Sequence, residues 1–167
     1  MKIRNRSASV VGYTIPDLHI RRRFSPGEVK ELPKEELEQL LYQPGGRAVL
    51  TDYLQVAKED IGNIDMEEQE KEYYYTEEEI KKVITSGSLD EFLDMLDFAP
   101  EGVINLVKNY AISLPISDLY KIEALKDKTG FDAAKALENL KEVENEPKPE
   151  APKRRVQEDK YKVIADK

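Results

Sequence analysis

The chain has 167 residues, a formal charge of −8 and an isoelectric point near 4.9, a balance that argues against general binding to nucleic acid or membrane surfaces. It has no cysteine, which removes disulfides and thiolate metal sites and fits a reducing cytoplasm. No secretory h-region and no long apolar run occurs, so the expectation is a soluble protein made inside the cell.

The charge is uneven. Residues 1–23 carry six Lys/Arg against the single Asp17, whereas residues 57–80 carry ten Asp/Glu against Lys58 and Lys71. A dipolar chain of this kind can steer one partner by its basic end and repel others by its acidic middle.

Residues 1–56 read as a small α+β unit. "IRNRSASVVGYTI" is rich in β-branched and small residues, with Gly12 as a bulge or bend. Pro16-Asp17 breaks it, and "LHIRRRF" reads as a second strand. "SPGE" places Pro26 and Gly27 where a type II turn needs a fixed and then a positive φ, predicting a hairpin into the short strand "EVKEL". "PKEELEQLL" opens a helix with Pro and early acids, "PGG" ends it, and "RAVLTDYL" reads as a second short helix. A unit of this size is marginal alone and is expected to lean on a neighbour.

Residues 57–75 read as an acidic spacer whose like charges favour extension, closed by Tyr73, Tyr74 and Tyr75. Residues 76–142 read as a compact helical bundle. Thr76 with Glu79 and Ser88 with Glu91 are capping boxes, and Ile80, Val83 and Ile84, then Leu89, Phe92, Leu93 and Leu96, form apolar stripes. Pro100 opens a helix that is apolar on more than one face and so central. Pro115 stops it, Ser117 or Asp118 caps the next, Gly130 ends that one, and a last helix carries Ala133, Ala136, Leu137 and Leu140. Residues 143–167 read as an extended, charged tail that mixes Pro with both charge signs and is expected to be disordered unless a partner holds it.

The arginine run is the leading candidate site. Strand alternation puts His19, Arg21 and Arg23 on one face and Ile20, Arg22 and Phe24 on the other. The outward set can meet an acidic subunit or phosphate, or pair with Glu28, Glu31 and the helix acids of its own unit. Arg22, on the apolar side, belongs at a rim or, if buried, in an ion pair. In "PGGRA" the backbone N–H groups beside Arg47 have the makings of an anion site, although a plain turn is the simpler reading. In the tail, Tyr161, Val163 and Ala165 alternate with Lys160, Lys162 and Ile164, a pattern suited to adding a strand to a sheet edge, with Arg154 and Arg155 to orient it.

No nucleophile motif, glycine-rich dinucleotide loop, H-E-x-x-H or EF-hand spacing is present, and the lone His19 has no second ligand. No catalysis, cofactor or metal is therefore expected.

The stretch "YTIPDLHIRRRFSPGEVKELPKEELEQLLYQPGGRAVLTDYL", the later "YYYTEEEIKKVITSGSLDEFLDMLDFAPEGVINLVKN" and "KTGFD" resemble small virion structural proteins of tailed bacteriophages. The resemblance implies a non-enzymatic accessory component of the particle, on the capsid shell, at the portal vertex or in the tail, made in the host bacterial cytoplasm and held in the virion in multiple copies. An auxiliary capsid or portal-vertex place is the leading expectation. It implies other virion structural proteins as partners, with no membrane and no direct nucleic-acid contact. The proposed partner-binding residues are Arg21, Arg23, Arg47, Arg154, Arg155, Tyr161, Val163 and Ala165. The alternative is an intracellular protein-binding or nucleic-acid adaptor acting outside any particle.

Overall fold

The computed structural model of the protein describes residues 1–145 apart from 68, 70, 115 and 117, and leaves out the side chains of 71 and 141–145. The fold is α+β: strands come first, helices follow, and each region has its own core.

The first stretch is two strands rather than one. β1 (Lys2–Asn5) and β2 (Val11–Ile15) are separated by a bend that Asn5 organises from a fully buried position. Its Nδ2 donates to the carbonyls of Ser9, Phe24 and Ser25 at 2.8, 3.1 and 3.0 Å, and its Oδ1 accepts from the Ser7 N–H. One amide side chain thus supplies the pairing that an irregular buried backbone cannot find in a sheet ladder.

β3 (Ile20–Phe24) pairs antiparallel with β2, while β4 (Val29–Glu31) pairs with β1. The Pro26-Gly27 turn forms, with Gly27 at φ 71° and the Glu28 N–H donating to the Ser25 carbonyl at 3.0 Å. It does not close a hairpin, which corrects the sequence reading. The chain crosses there from the β2–β3 ribbon to a three-stranded sheet of order β4-β1-β5, where β5 is Leu54–Val56. A turn motif specifies a reversal of direction, and the partner of each strand is decided by which face must be buried.

Helix α1 (Lys34–Tyr42) leads into a three-residue helix, α2 (Gly46–Ala48), which continues as a π turn over Val49–Tyr53. The acidic segment after β5 is packed, not extended. Ile61, Ile64, Met66 and Tyr73 are all buried in the first core, while Glu59, Asp60, Asp65, Glu67 and Glu72 among the described residues stay unburied. The Tyr73 hydroxyl donates to the Leu50 carbonyl at 3.2 Å. The tyrosine triplet then divides: Tyr74 packs on the first core and Tyr75 on the second.

The helices are α3 (Glu77–Ser86), α4 (Leu89–Phe98), α5 (Glu101–Ser113), α6 (Leu119–Thr129) and α7 (Ala133–Asn145). Both capping boxes form, Asp118 Oδ1 accepts from the Tyr120 N–H, and Gly130 stops α6 in the left-handed region at φ 70°. Ile80, Ile84, Phe92, Met95, Val103, Val107 and Leu125 are essentially inaccessible. Among the described residues α5 buries the most positions of the five helices and packs chiefly on α3, α7 and the π turn, while α4 packs on α6. Lys121 is buried with them, its Nζ donating to the Val83, Ile84 and Gly87 carbonyls at 2.8, 3.2 and 2.7 Å. A cation there satisfies the orphan carbonyls at the end of α3. Leu137 and Leu140, expected in the last apolar stripe, are 36% and 48% exposed.

The first unit leans on its own helical neighbour. Gly102, in the first turn of α5, lies so close to the π turn that an added Cβ would sit 2.6 Å from the Asp52 carbonyl oxygen. Arg4 pairs with Glu77 at 2.6 Å, and Ala8 packs against the second core.

Candidate functional site: the arginine face of the β2–β3 ribbon

The register pairs Val11 with Phe24, Gly12 with Arg23, Tyr13 with Arg22, Thr14 with Arg21 and Ile15 with Ile20. Alternation then sorts the side chains. Val11, Tyr13, Ile15 and Phe24 are buried on the inner face, and Gly12, Thr14, Arg21 and Arg23 form the outer one.

Arg22 is the inward arginine, and it is paired. Its Nε and Nη2 donate to the two carboxylate oxygens of Glu36, each at 2.8 Å, and the Tyr13 hydroxyl donates to Glu36 Oε1 at 2.6 Å. Glu36 is only 2% exposed. The Arg22 guanidinium holds the Glu36 carboxyl below the usual carboxylate range, against the opposing effect of burial. Burial, followed by the hydrogen bond to Glu36, pushes the Tyr13 hydroxyl upward. This triad clamps the ribbon onto α1 and fixes which face of β3 points out.

Arg21 and Arg23 are exposed, and no ion pair or side-chain hydrogen bond engages either among the described residues. The acids offered by the sequence go elsewhere: Glu28 pairs with Lys30 and accepts from the Ser25 N–H, and Glu36 takes Arg22. Together with Val10, Gly12 and Thr14, the arginines outline an open depression of about 400 Å³. Small side chains opposite both arginines leave the guanidinium groups accessible from above. His19 falls outside the strand. It sits in the left-handed region at φ 52° and ends the turn at Pro16–Leu18, so its ring is not aligned by the pleat with the two arginines.

Arg47 is exposed and donates to the Asp65 carbonyl at 3.3 Å. In "PGGRA" a turn leads into α2, and the Gly46 N–H already donates to the Gln43 carbonyl, so that N–H is not free for an anion. Arg154, Arg155, Tyr161, Val163 and Ala165 lie outside the described residues.

A further arginine escapes the sequence reading. Arg6 is 4% exposed, and its guanidinium donates to the Tyr73, Thr51 and Leu54 carbonyls while lying 3.9 Å from the centroid of the Tyr73 ring. Burial lowers its pKa to about 10. No chemistry is open to it. It ties β1 to the π turn and to Tyr73, and the close contact at Gly102 brings α5 onto the same spot.

No protein family, no curated protein and no solved structure matches the chain.

Proposed function

We propose that the chain is a non-enzymatic structural component of a tailed-bacteriophage virion, an auxiliary capsid or portal-vertex protein that bridges neighbouring subunits. It does so through the outer face of the β2–β3 ribbon and through its C-terminal tail. The observation that carries this reading is the division of labour in β3. Arg22 has a buried carboxylate of its own, whereas Arg21 and Arg23 project two aligned guanidinium groups with no acceptor among the described residues. Arginine forks of this kind recognise carboxylates on a partner, and they lose less entropy on docking than lysines would. With a chain charge of −8, the face favours a local acidic protein surface over a long polyanion, which the rest of the molecule repels. The placement in a virion is supported by the resemblance of residues 13–54, 73–109 and 128–132 to phage structural proteins.

Purified particles of the encoding phage test this directly. The protein is expected at fixed stoichiometry by mass spectrometry, and R21E/R23E is expected to lower its incorporation. Normal incorporation of the double variant would remove the arginine face from the interface. An absence from particles, combined with DNA binding that falls steeply with salt, would favour the nucleic-acid adaptor instead.

A further inference from the structure

We propose that an apolar groove between α5, α6 and α7 receives the C-terminal segment 161–165 of the same chain. This rests on the reading of the tail as a docking peptide and names its receptor in the free protein. The groove is lined by Ile112, Leu114, Ile116, Ile122, Ala133 and Leu137, and encloses about 420 Å³, within the roughly 300–1,000 Å³ typical of occupied pockets. On its α7 side, Ala134 and Leu137 also border a shallower depression with Asp132, Lys135 and Glu138, so the margin there is mixed. Leu137 is 36% exposed, and Leu140, three residues on along α7, is 48% exposed. Leu119 is 72% exposed and lies one turn before Ile122 on the same side of α6. Scattered apolar side chains on a surface need no account, but a mainly apolar groove flanked by exposed leucines marks a site that something covers.

The chain carries a matching segment at the right place. The Leu137–Leu140 strip runs along α7 toward Asn145, the point from which residues 146–167 continue. Among these, Tyr161, Val163, Ile164 and Ala165 form the one dense apolar cluster, preceded by Pro147, Pro149 and Pro152 and by charged residues. An extended segment presents Tyr161, Val163 and Ala165 on one side, spaced to enter a groove between helices. Reach is no obstacle. From Leu137 to Asn145 the helix rises about 12 Å at ~1.5 Å per residue, whereas residues 146–160 can span up to ~50 Å at ~3.3–3.6 Å each. A tether of this length gives the segment an effective concentration on the order of millimolar at its own groove, well above that of any free copy. The tail is thus stowed on its own bundle until a neighbouring subunit in the assembly competes for it.

The chain has no tryptophan, so Tyr161→Trp in the full-length protein supplies a single reporter. Its emission in the native protein is expected to lie to the blue of that in the denatured chain, independently of protein concentration. Leu137→Asp, at a half-exposed position that leaves the fold intact by circular dichroism, is expected to abolish the shift, as is Val163→Asp. Native emission equal to that of the denatured chain would overturn the proposal. So would a blue shift that survives Leu137→Asp, which puts the tail elsewhere, or one that appears only as copies associate, which puts it on another molecule. The readout is taken on free protein and leaves Arg21 and Arg23 untouched. Its failure is therefore separate from failure of the particle experiment.

Discussion

The two cores of this protein solve the same problem by different means. The strand-rich core buries Asn5, Arg6, Ser7 and Glu36, whereas the helical core buries Lys121 as its single charged or polar side chain among the described residues. Helices satisfy their own backbone and need only caps and an apolar stripe. Short strands joined by bends, a π turn and 3-10 turns leave buried carbonyls and N–H groups that only side chains can reach. The lesson is that the first core is specified by directed polar contacts and the second by apolar shape. Substitutions that remove polar donors while sparing apolar volume should therefore hurt the first core more than the second.

The largest effect is expected at Arg6. Arg6→Ala removes the guanidinium donors from the Thr51, Leu54 and Tyr73 carbonyls, leaving Leu54 and Tyr73 with long bonds of 3.5 Å from the Tyr73 hydroxyl and the Gln55 amide, and removes the stacking on Tyr73. At about 1–3 kcal/mol for an unmet buried group, partly offset by release of a desolvated cation, the loss should be about 3 kcal/mol in urea unfolding. Arg6→Lys should recover only part of it, since an ammonium cannot reproduce the planar fork. A loss within the range of a surface substitution would show that the first core, too, is held by shape.

A smaller effect is expected at the matching position of the helical core. Lys121→Met keeps the unbranched apolar stem and removes three hydrogen bonds to the end of α3. Part of the need for those bonds disappears with the cation itself, so about 1–2 kcal/mol is expected in the same assay. A loss exceeding that of Arg6→Ala would reverse the comparison.

These two buried cations also show where sequence reading stops. The caps at Thr76 and Ser88, the Gly130 stop and the heavy burial of α5 were legible because each depends on residues within one or two turns. The alternation of β3, and the need to pair an inward Arg22, were legible for the same reason. The identity of its partner was not. Glu36 is one of two acids in the first turn of α1, and only packing of the ribbon on that helix selects it over Glu35. Arg6 sits in a stretch that reads as strand, and nothing local says that the chain bends there and turns a guanidinium inward. The acidic segment was misread because charge density is counted per residue, whereas burial depends on where Ile61, Ile64, Met66 and Tyr73 fall among the acids. The candidate interface was half legible: Arg21 and Arg23 follow from period two, and the departure of His19 depends on a left-handed turn residue that is not glycine.

Acid should probe the first core through Glu36, the buried carboxylate of the triad. Its folded pKa lies below the unfolded value because Arg22 and Tyr13 bond the carboxylate. The sign follows from proton binding. The unfolded chain takes up the proton first, so Glu36 contributes stability above its unfolded pKa, near 4.5, that is lost as the pH falls through the folded value. Glu36→Gln should lower stability at neutral pH and flatten this part of the acid dependence, read by thermal melts between neutral pH and the acid limb. An unchanged acid slope in Glu36→Gln would mean that the triad is not what acid breaks.

The smallest effect on stability belongs to the residues that matter most for partners. Arg21 and Arg23 lie two positions apart on β3, flanking Arg22, with the same side chain and the same strand geometry. What differs is the face. Arg22 reaches a carboxylate that is 2% exposed, while its neighbours reach solvent. Truncating Arg22 to Ala leaves a buried carboxylate without its cation and should cost several-fold more than any change on the outer face. R21E/R23E, by contrast, should shift unfolding by no more than about 0.5 kcal/mol, because exposed side chains without partners contribute little to the native state. A large loss in the double variant would mean that the outer face carries structural weight, and the arginines would then belong to the fold. A near-zero loss, with reduced incorporation into particles, would separate stability from docking within a single five-residue strand.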